Sequence, residues 1–164
     1  MANKKDYDLE KVMQAYQKYI DGTYFEKARA VILKDDKIVY IKDSKSNKLN
    51  IPGGGVDDKE SIEDAAVREA LEETGYKVKP IMPVQKKYYE VNMSLGSIDF
   101  ISKRVAYVYL CEFLEDTHGT RGLSGEFEGN VEIVLGEVDD LKNYHVDDDA
   151  IARIKQYIEV SKLK

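Results

Sequence analysis

The chain has 164 residues, 43% of them hydrophobic, which suits one domain with a substantial core and gives no sign of disorder or of a second unit. A formal charge of -6 argues against a nucleic-acid polymer as partner, because that affinity is built from clustered Lys and Arg releasing counterions. The lone cysteine, Cys111, excludes an internal disulfide and fits a reducing, cytoplasmic home, while the absence of an apolar leader or a bilayer-length apolar window predicts a soluble, unsecreted protein.

In chain order, Leu9, Val12, Met13, Tyr16, Tyr19 and Ile20 recur at helical spacing and predict an amphipathic helix at about residues 8–20, closed by Asp21 and Gly22. Its apolar stripe covers either the domain's own core or a second copy, so a homodimer is one expected partner. "KARAVIL" and "KIVYIKD", on either side of "KDDK", predict two antiparallel strands joined by a tight turn. A polar loop, Ser44 to Asn50, leads to Ile51-Pro52-Gly53-Gly54-Gly55, whose glycines read as too flexible for the interior of an element. Next comes a helix starting near Ser61, with Asp64 three residues on as in a capping box, and stopped by Gly75.

Beyond Gly75, "YKVKPIMPVQKKYYEVN" predicts an extended segment interrupted at Pro80 and Pro83, and "KRVAYVYLCEFLE" a long core strand. "RGLSGEFEGN" reads as a glycine-rich loop, "VEIVL" as a short strand, and "DDDAIARIKQYIEVSKLK" as a closing helix with Ile151, Ile154, Tyr157 and Ile158 turned inward. Asp147, Asp148 and Asp149 resemble a metal cluster in sequence, but acids at a helix N-terminus already complement the dipole and cap free amides, and that is the preferred reading. One mixed sheet with helices packed on it, an α+β layered domain spanning residues 1–164, follows from this order.

The chemistry concentrates on the helix after the glycines. At about 100° per residue, Glu69, Glu72 and Glu73 continue the arc begun by Ile62, Ala65 and Ala66, so three carboxylates prolong the apolar stripe instead of opposing it. Arg68 can pair with Glu72 four residues on, but one guanidinium cannot satisfy all three acids. A divalent cation with hard-oxygen preference, Mg²⁺ or Mn²⁺, can. Upstream, Gly53 to Gly55 let backbone groups approach a ligand closely.

Gly54, five residues, Glu60, seven residues, then "REALEETGY" resembles the Nudix box, G-x5-E-x7-R-E-U-x-E-E-x-G-U with U aliphatic. Ala70 and Tyr76 stand at the aliphatic positions, departures that bear on helix packing and not on the acids. The resemblance implies a Nudix-like α/β/α sandwich with a mixed sheet, acting as a Mg²⁺-dependent hydrolase, with Mn²⁺ as substitute, on a nucleoside diphosphate linked to another group. A nucleoside triphosphate, ADP-ribose or a related nucleotide sugar would be the partner. By the same resemblance Glu69, Glu72, Glu73 and the Gly54 carbonyl bind metal, Arg68 orients the cluster, and Glu60 stabilises the helix start in an outer shell. The general base is a box glutamate or one from a later segment: Glu132 first, then Glu128 and Glu126. Of the arginines, Arg29 on the first strand is the phosphate candidate, with Gly53 and Gly55 beside the substrate; Arg104 and Arg121 are alternatives. Tyr88, Tyr89, Phe25 and Tyr24 are candidates to stack on a base or to pack in the core. His118 and His145 are isolated and support neither a zinc site nor a nucleophilic dyad. A non-catalytic nucleotide-binding regulator on the same fold is the competing expectation.

Overall fold

The structure is a computed structural model that describes residues 24–119 and 131–163. The expected helix at 8–20, Arg121, Glu126 and Glu128 lie outside the described residues.

Branched and aromatic residues on either side of the Asp35-Asp36 turn form β1 (Phe25–Lys34) and β2 (Lys37–Asp43), paired antiparallel at Leu33 with Ile38. Both turn aspartates adopt positive φ, 53° and 61°, as a two-residue hairpin connection requires. A short β3 (Leu49–Asn50) adds to β2. The three glycines do not stay outside regular structure: β4 (Gly53–Gly55) pairs antiparallel with Lys27, Ala28 and Arg29 of β1. Strand geometry tolerates glycine at a cost in entropy, and here the missing side chains let the strand lie against the helix that follows.

That helix is α1 (Ile62–Thr74). Ser61 caps it by accepting from the Asp64 N–H at 3.0 Å, and Gly75, at φ 73°, ends it in the left-handed conformation. β5 (Tyr76–Leu95) and β6 (Ile98–Asp116) then form one long antiparallel hairpin. The prolines do not break β5. Register shifts occur at Lys77/Val78, Pro80/Met82 and Pro83/Gln85, so both prolines fall at irregularities where a missing N–H is tolerated. β6 runs parallel to β1 from Phe25 opposite Arg104 to Leu33 opposite Glu112. After β7 (Val131–Gly136), which pairs with β2, come a 3₁₀ helix (Val138–Tyr144) that the apolar pattern did not announce and α2 (Asp148–Ser161). Among the described residues the sheet is mixed, in the order β3-β2-β1-β6-β5.

Alternation along the strands makes two cores. Ala28, Ala30 and Ile32 of β1, with Val39 and Cys111, face α1 and meet its Ala65, Ala66 and Ala70. The small residues on both sides bring the helix close to the sheet. Val31, Ile38, Tyr40, Val108 and Leu110 face the other way onto Ile151, Ile154 and Ile158 of α2 and Leu141 of the 3₁₀ helix. Burying Ile154 completely stabilises this layer by roughly 1.5–3 kcal/mol. The result is the expected three-layer α/β/α sandwich, with Ile151, Ile154, Tyr157 and Ile158 turned inward. Asp147 is the N-cap of α2 but makes no capping hydrogen bond; its carboxylate meets Lys87 of β5 at 3.2 Å instead. No helix among the described residues is long and apolar enough to cross a membrane.

Candidate active site

Pairing of β4 with β1 lays Gly54 against the inward face of α1. A Cβ at Gly54 would fall 2.4 Å from Glu69 Oε1 and 2.7 Å from its Cδ, so the Glu69 carboxylate occupies the space that a side chain there would need. Glu69 and Glu73 are each only 5% exposed, although both are acids on a helix otherwise packed through alanines. Burial is therefore the first influence on both, and it raises their pKa because a charge is poorly solvated there. For Glu73, repulsion from Glu69 and Glu72 adds to burial, while the Gly53 N–H, donating to Oε2 at 3.1 Å, works against it; the carboxyl is pushed up to about 8. For Glu69, Arg68 opposes the rise and Glu72 and Glu60 reinforce it.

Arg68 is the hub. It donates from Nε and Nη2 to the two oxygens of Glu60 at 2.8 and 2.9 Å, from Nη2 to the Gly55 carbonyl at 2.9 Å, and from Nη1 to Glu69 Oε1 at 2.9 Å. Glu72 Oε2 lies 3.3 Å from Nη1, and Asp57 is within 3.6 Å of Nε. This fork holds Glu60 below the usual carboxylate range and the guanidinium above its own. It ties the helix start, the glycine strand and the middle of α1 into one unit. One acid atom is left over: Glu69 Oε2 is buried and has no hydrogen-bond partner among the described residues. An orphaned buried carboxylate oxygen is expensive unless something else satisfies it.

Divalent metal ions are general to Nudix hydrolases, and the donor chemistry here suits one. Glu69 Oε2, the buried Glu73 and the half-exposed Glu72 lie within one helical turn, beside a glycine strand with no side chains to obstruct approach. Among the described residues, however, no three His, Cys, Asp or Glu side chains already converge as a metal cage. Instead Glu69 and Glu72 meet Arg68, and Glu73 accepts from the Gly53 N–H.

On the far side of β4 from the helix opens a cleft of about 520 Å³ on the α2 face of the sheet. Arg29 lines it, half-buried, and donates to Asn50 Oδ1 at 3.2 Å; among the described residues it has no carboxylate partner. Burial lowers its pKa. Lys27, Lys87 and Tyr89 share this face, and Asn143, Tyr144 and His145 at the end of the 3₁₀ helix form the opposite wall. Gln85 fixes that wall by donating to the His145 carbonyl at 2.9 Å and accepting from the Asp147 N–H at 2.7 Å.

The structure thus gathers Gly53, Gly54, Gly55, Glu60, Arg68, Glu69, Glu72 and Glu73, with Arg29 next to Gly53. Glu132 is not in that cluster. It stands on β7, 69% exposed, with Lys42 of β2 at 3.7 Å. Ile133 packs toward α1 and Val134 toward α2, so Glu132 leaves the sheet on the α2 face. Tyr89 enters the cleft, but Tyr88 is 55% exposed and meets Tyr24 edge to face at 5.0 Å. Arg104 lies over the Phe25 ring and turns toward Ser102 and Met93. Cys111 is fully buried and its thiol is pushed up to about 12, an inert core residue. His118 pairs loosely with Asp116 at 3.6 Å and is exposed. His145, set aside as isolated, is part of the cleft wall, and Lys27, Gln85 and Lys87 were missed by sequence reasoning. Their signal was present as period-two alternation: Lys27 with Arg29, and Gln85 with Lys87 and Tyr89, are polar residues repeating on a face that should otherwise be apolar.

Known proteins add the following. A protein of Bacillus subtilis (strain 168) named "Putative 8-oxo-dGTP diphosphatase" is 44% identical over 54 residues, 32% of this chain, so the match spans little more than a third of that relative's length, 36%. The structure of a NUDIX hydrolase from Nitrosomonas europaea superposes with a TM-score of 0.56 at 18% identity, over 85% of this chain and 91% of that one. An ADP-ribose pyrophosphatase from Streptococcus suis 89-1591 superposes with a TM-score of 0.52 at 20% identity, over 85% and 92%. At such identities the two structures speak for the fold alone. The family model described as NUDIX domain matches residues 24–154, most of the chain, and covers the glycine strand, α1 and the cleft together: the chain belongs to the NUDIX family.

Proposed function

We propose that the protein is a metal-dependent pyrophosphohydrolase that cleaves a nucleoside diphosphate linked to another moiety, with Mg²⁺ as the working ion and Mn²⁺ as a substitute. The observation that carries this reading is the pair of buried acids, Glu69 and Glu73, pressed against Gly53 and Gly54, with Glu69 Oε2 unpartnered and the cleft-lining Arg29 without a carboxylate partner among the described residues. A relative named for 8-oxo-dGTP, matched over about a third of this chain, supports a diphosphate as the shared chemistry and leaves the attached group open.

In this reading Glu69, Glu72, Glu73 and the Gly54 carbonyl hold the metal, which neutralises the diphosphate and lowers the pKa of the attacking water. Arg68 is a positioning residue: by holding Glu60, Glu69, Glu72 and the Gly55 carbonyl it sets where the acids stand and keeps the helix start docked on β4. Glu60 serves in that outer shell. Gly53 orients Glu73 through its N–H, and Gly55 offers its carbonyl to Arg68. Arg29 meets a phosphate oxygen that enters the cleft beside Gly53. A box glutamate is one candidate proton acceptor, Glu73 among them, held by the Gly53 N–H. Glu132 is the alternative base, reached from β7, and a Glu132→Gln variant of full activity removes it from the mechanism. A reducing, cytoplasmic site of action suits the single, buried Cys111.

Chromatographic product analysis over a panel of triphosphates, nucleotide sugars and dinucleotides, with Mg²⁺ or Mn²⁺, tests the reading. Wild-type turnover that disappears in Glu73→Gln supports it. No turnover of any member with either metal contradicts it, and tight nucleotide binding in that case favours a regulator that binds without hydrolysing.

A further inference from the structure

The cleft carries more positive charge than a diphosphate site beside the box needs. Strand register places Lys27 of β1 and Lys87 of β5 opposite the same residue of β6, Ala106. Two strand spacings put their Cα atoms about 10 Å apart, and the methyl group between them leaves the floor low. One step along the sheet, Arg29 and Gln85 stand opposite Val108 in the same way. Arg29 and Lys27 are the cross-strand partners of Gly53 and Gly55, so they border the box, whereas Lys87 lies on the remote side of the cleft.

These cations are poorly compensated. Lys27 and Arg29 form no ion pair among the described residues. Burial lowers the pKa of Lys27, and Arg104 and Arg29 lower it further, the mark of like charges gathered together. Lys87 meets Asp147, but both partners are about half exposed (49% and 56%), and such a pair is weak and readily exchanged for a better anion. An uncharged base or sugar would leave this charge unanswered. A scissile diphosphate at the box meets Arg29 beside Gly53 and does not extend across Ala106.

We infer that Lys27 and Lys87, facing each other over Ala106, form a second anion subsite, and that the preferred substrate carries a phosphate monoester on the moiety that enters the cleft, in addition to its diphosphate linkage. This rests on the diphosphate reading of the site and narrows it: the substrate class is a diphosphate compound with an extra phosphate remote from the bond that is cleaved. The same compound without that phosphate is the poorer ligand.

Matched pairs that differ by one phosphate monoester test this: NADPH and NADH, coenzyme A and its 3′-dephospho form, 2′-phospho-ADP-ribose and ADP-ribose. Calorimetry on the full chain, with and without Mg²⁺, measures the affinity ratio within each pair. In at least one pair the phosphorylated member binds about tenfold tighter or more, as expected for charge-assisted hydrogen bonds from two lysines. That ratio collapses toward one in Lys27→Gln and in Lys87→Gln and persists in Lys77→Gln, an exposed lysine at the other end of β5; circular dichroism confirms that each variant is folded. Equal affinities within every pair, no binding of any member, or a preference that survives both cleft substitutions overturns the inference. Hydrolysis of the unphosphorylated members, abolished by Glu73→Gln, tests the broader reading separately and can succeed when the subsite fails.

Discussion

Gly54→Ala is the most selective perturbation of the acid cluster. Gly54 is not in a positive-φ conformation, so alanine costs little through the backbone. Its methyl group would instead meet Glu69 at 2.4 Å from Oε1, 2.7 Å from Cδ and 3.0 Å from Oε2. No contact that close is tolerable, and the Glu69 side chain must move. Movement breaks its 2.9 Å hydrogen bond from Arg68 and displaces a buried carboxylate. Overpacking of this kind costs about 1–3 kcal/mol of stability, and removing Glu69 from its place weakens metal binding by about 10- to 100-fold, the range seen when a ligand's surroundings are disturbed. Gly55→Ala is the matched control, because its methyl group meets a Phe25 ring atom at 3.2 Å and needs only a few tenths of an ångström. Urea denaturation and Mn²⁺ titration measure both effects. The reasoning is refuted if Gly54→Ala matches wild type in both, or if Gly55→Ala is the more damaging of the two.

Three further outcomes are expected. In chelator, an unfolded Glu73 loses its proton near the ordinary carboxylate range while the folded one keeps it to about 8. The folded state therefore holds more protons across that window, and stability falls as pH rises from about 5 to 8, by at most on the order of 4 kcal/mol. Glu73→Gln flattens this slope, and denaturation curves of equal slope for both proteins would falsify the assignment. Glu60→Gln removes the charge from the partner that takes two bonds from Arg68, and it lowers stability by about 1–2 kcal/mol; an unchanged urea midpoint contradicts the hub role. Thr74→Val removes the buried hydroxyl that accepts from the Tyr76 N–H at 3.0 Å and costs about 1 kcal/mol, whereas Thr74→Ser does not.

The box helix was legible because its signals are local. Ser61, the 3.6-residue period and Gly75 act within one element, and Glu69 and Glu73 could be placed on its inward face by counting, whereas Glu72, counted with them, stands half exposed at the edge of that face. Gly53 to Gly55 misled because a propensity argument sees only flexibility; pairing with Lys27, Ala28 and Arg29 is a tertiary fact that overrides it. The continuity of β5 through Pro80 and Pro83 depended on register shifts against β6, which only the partner strand determines. Arg68 could be paired with Glu72 from spacing alone, but its stronger bonds go to Glu60, eight residues back, and to the Gly55 carbonyl. The cleft was the least visible feature. Lys27 and Lys87 are sixty positions apart in sequence, and only the order β1-β6-β5 sets them on either side of Ala106.

Direct titration of Mn²⁺ into the full chain, followed by electron paramagnetic resonance, tests the central claim that the box acids form a metal site. Saturable binding by the wild type, weakened by about tenfold or more in both Glu69→Gln and Glu73→Gln, is the predicted result. Wild-type and variant proteins that bind Mn²⁺ alike, or a wild type that binds none, would contradict it.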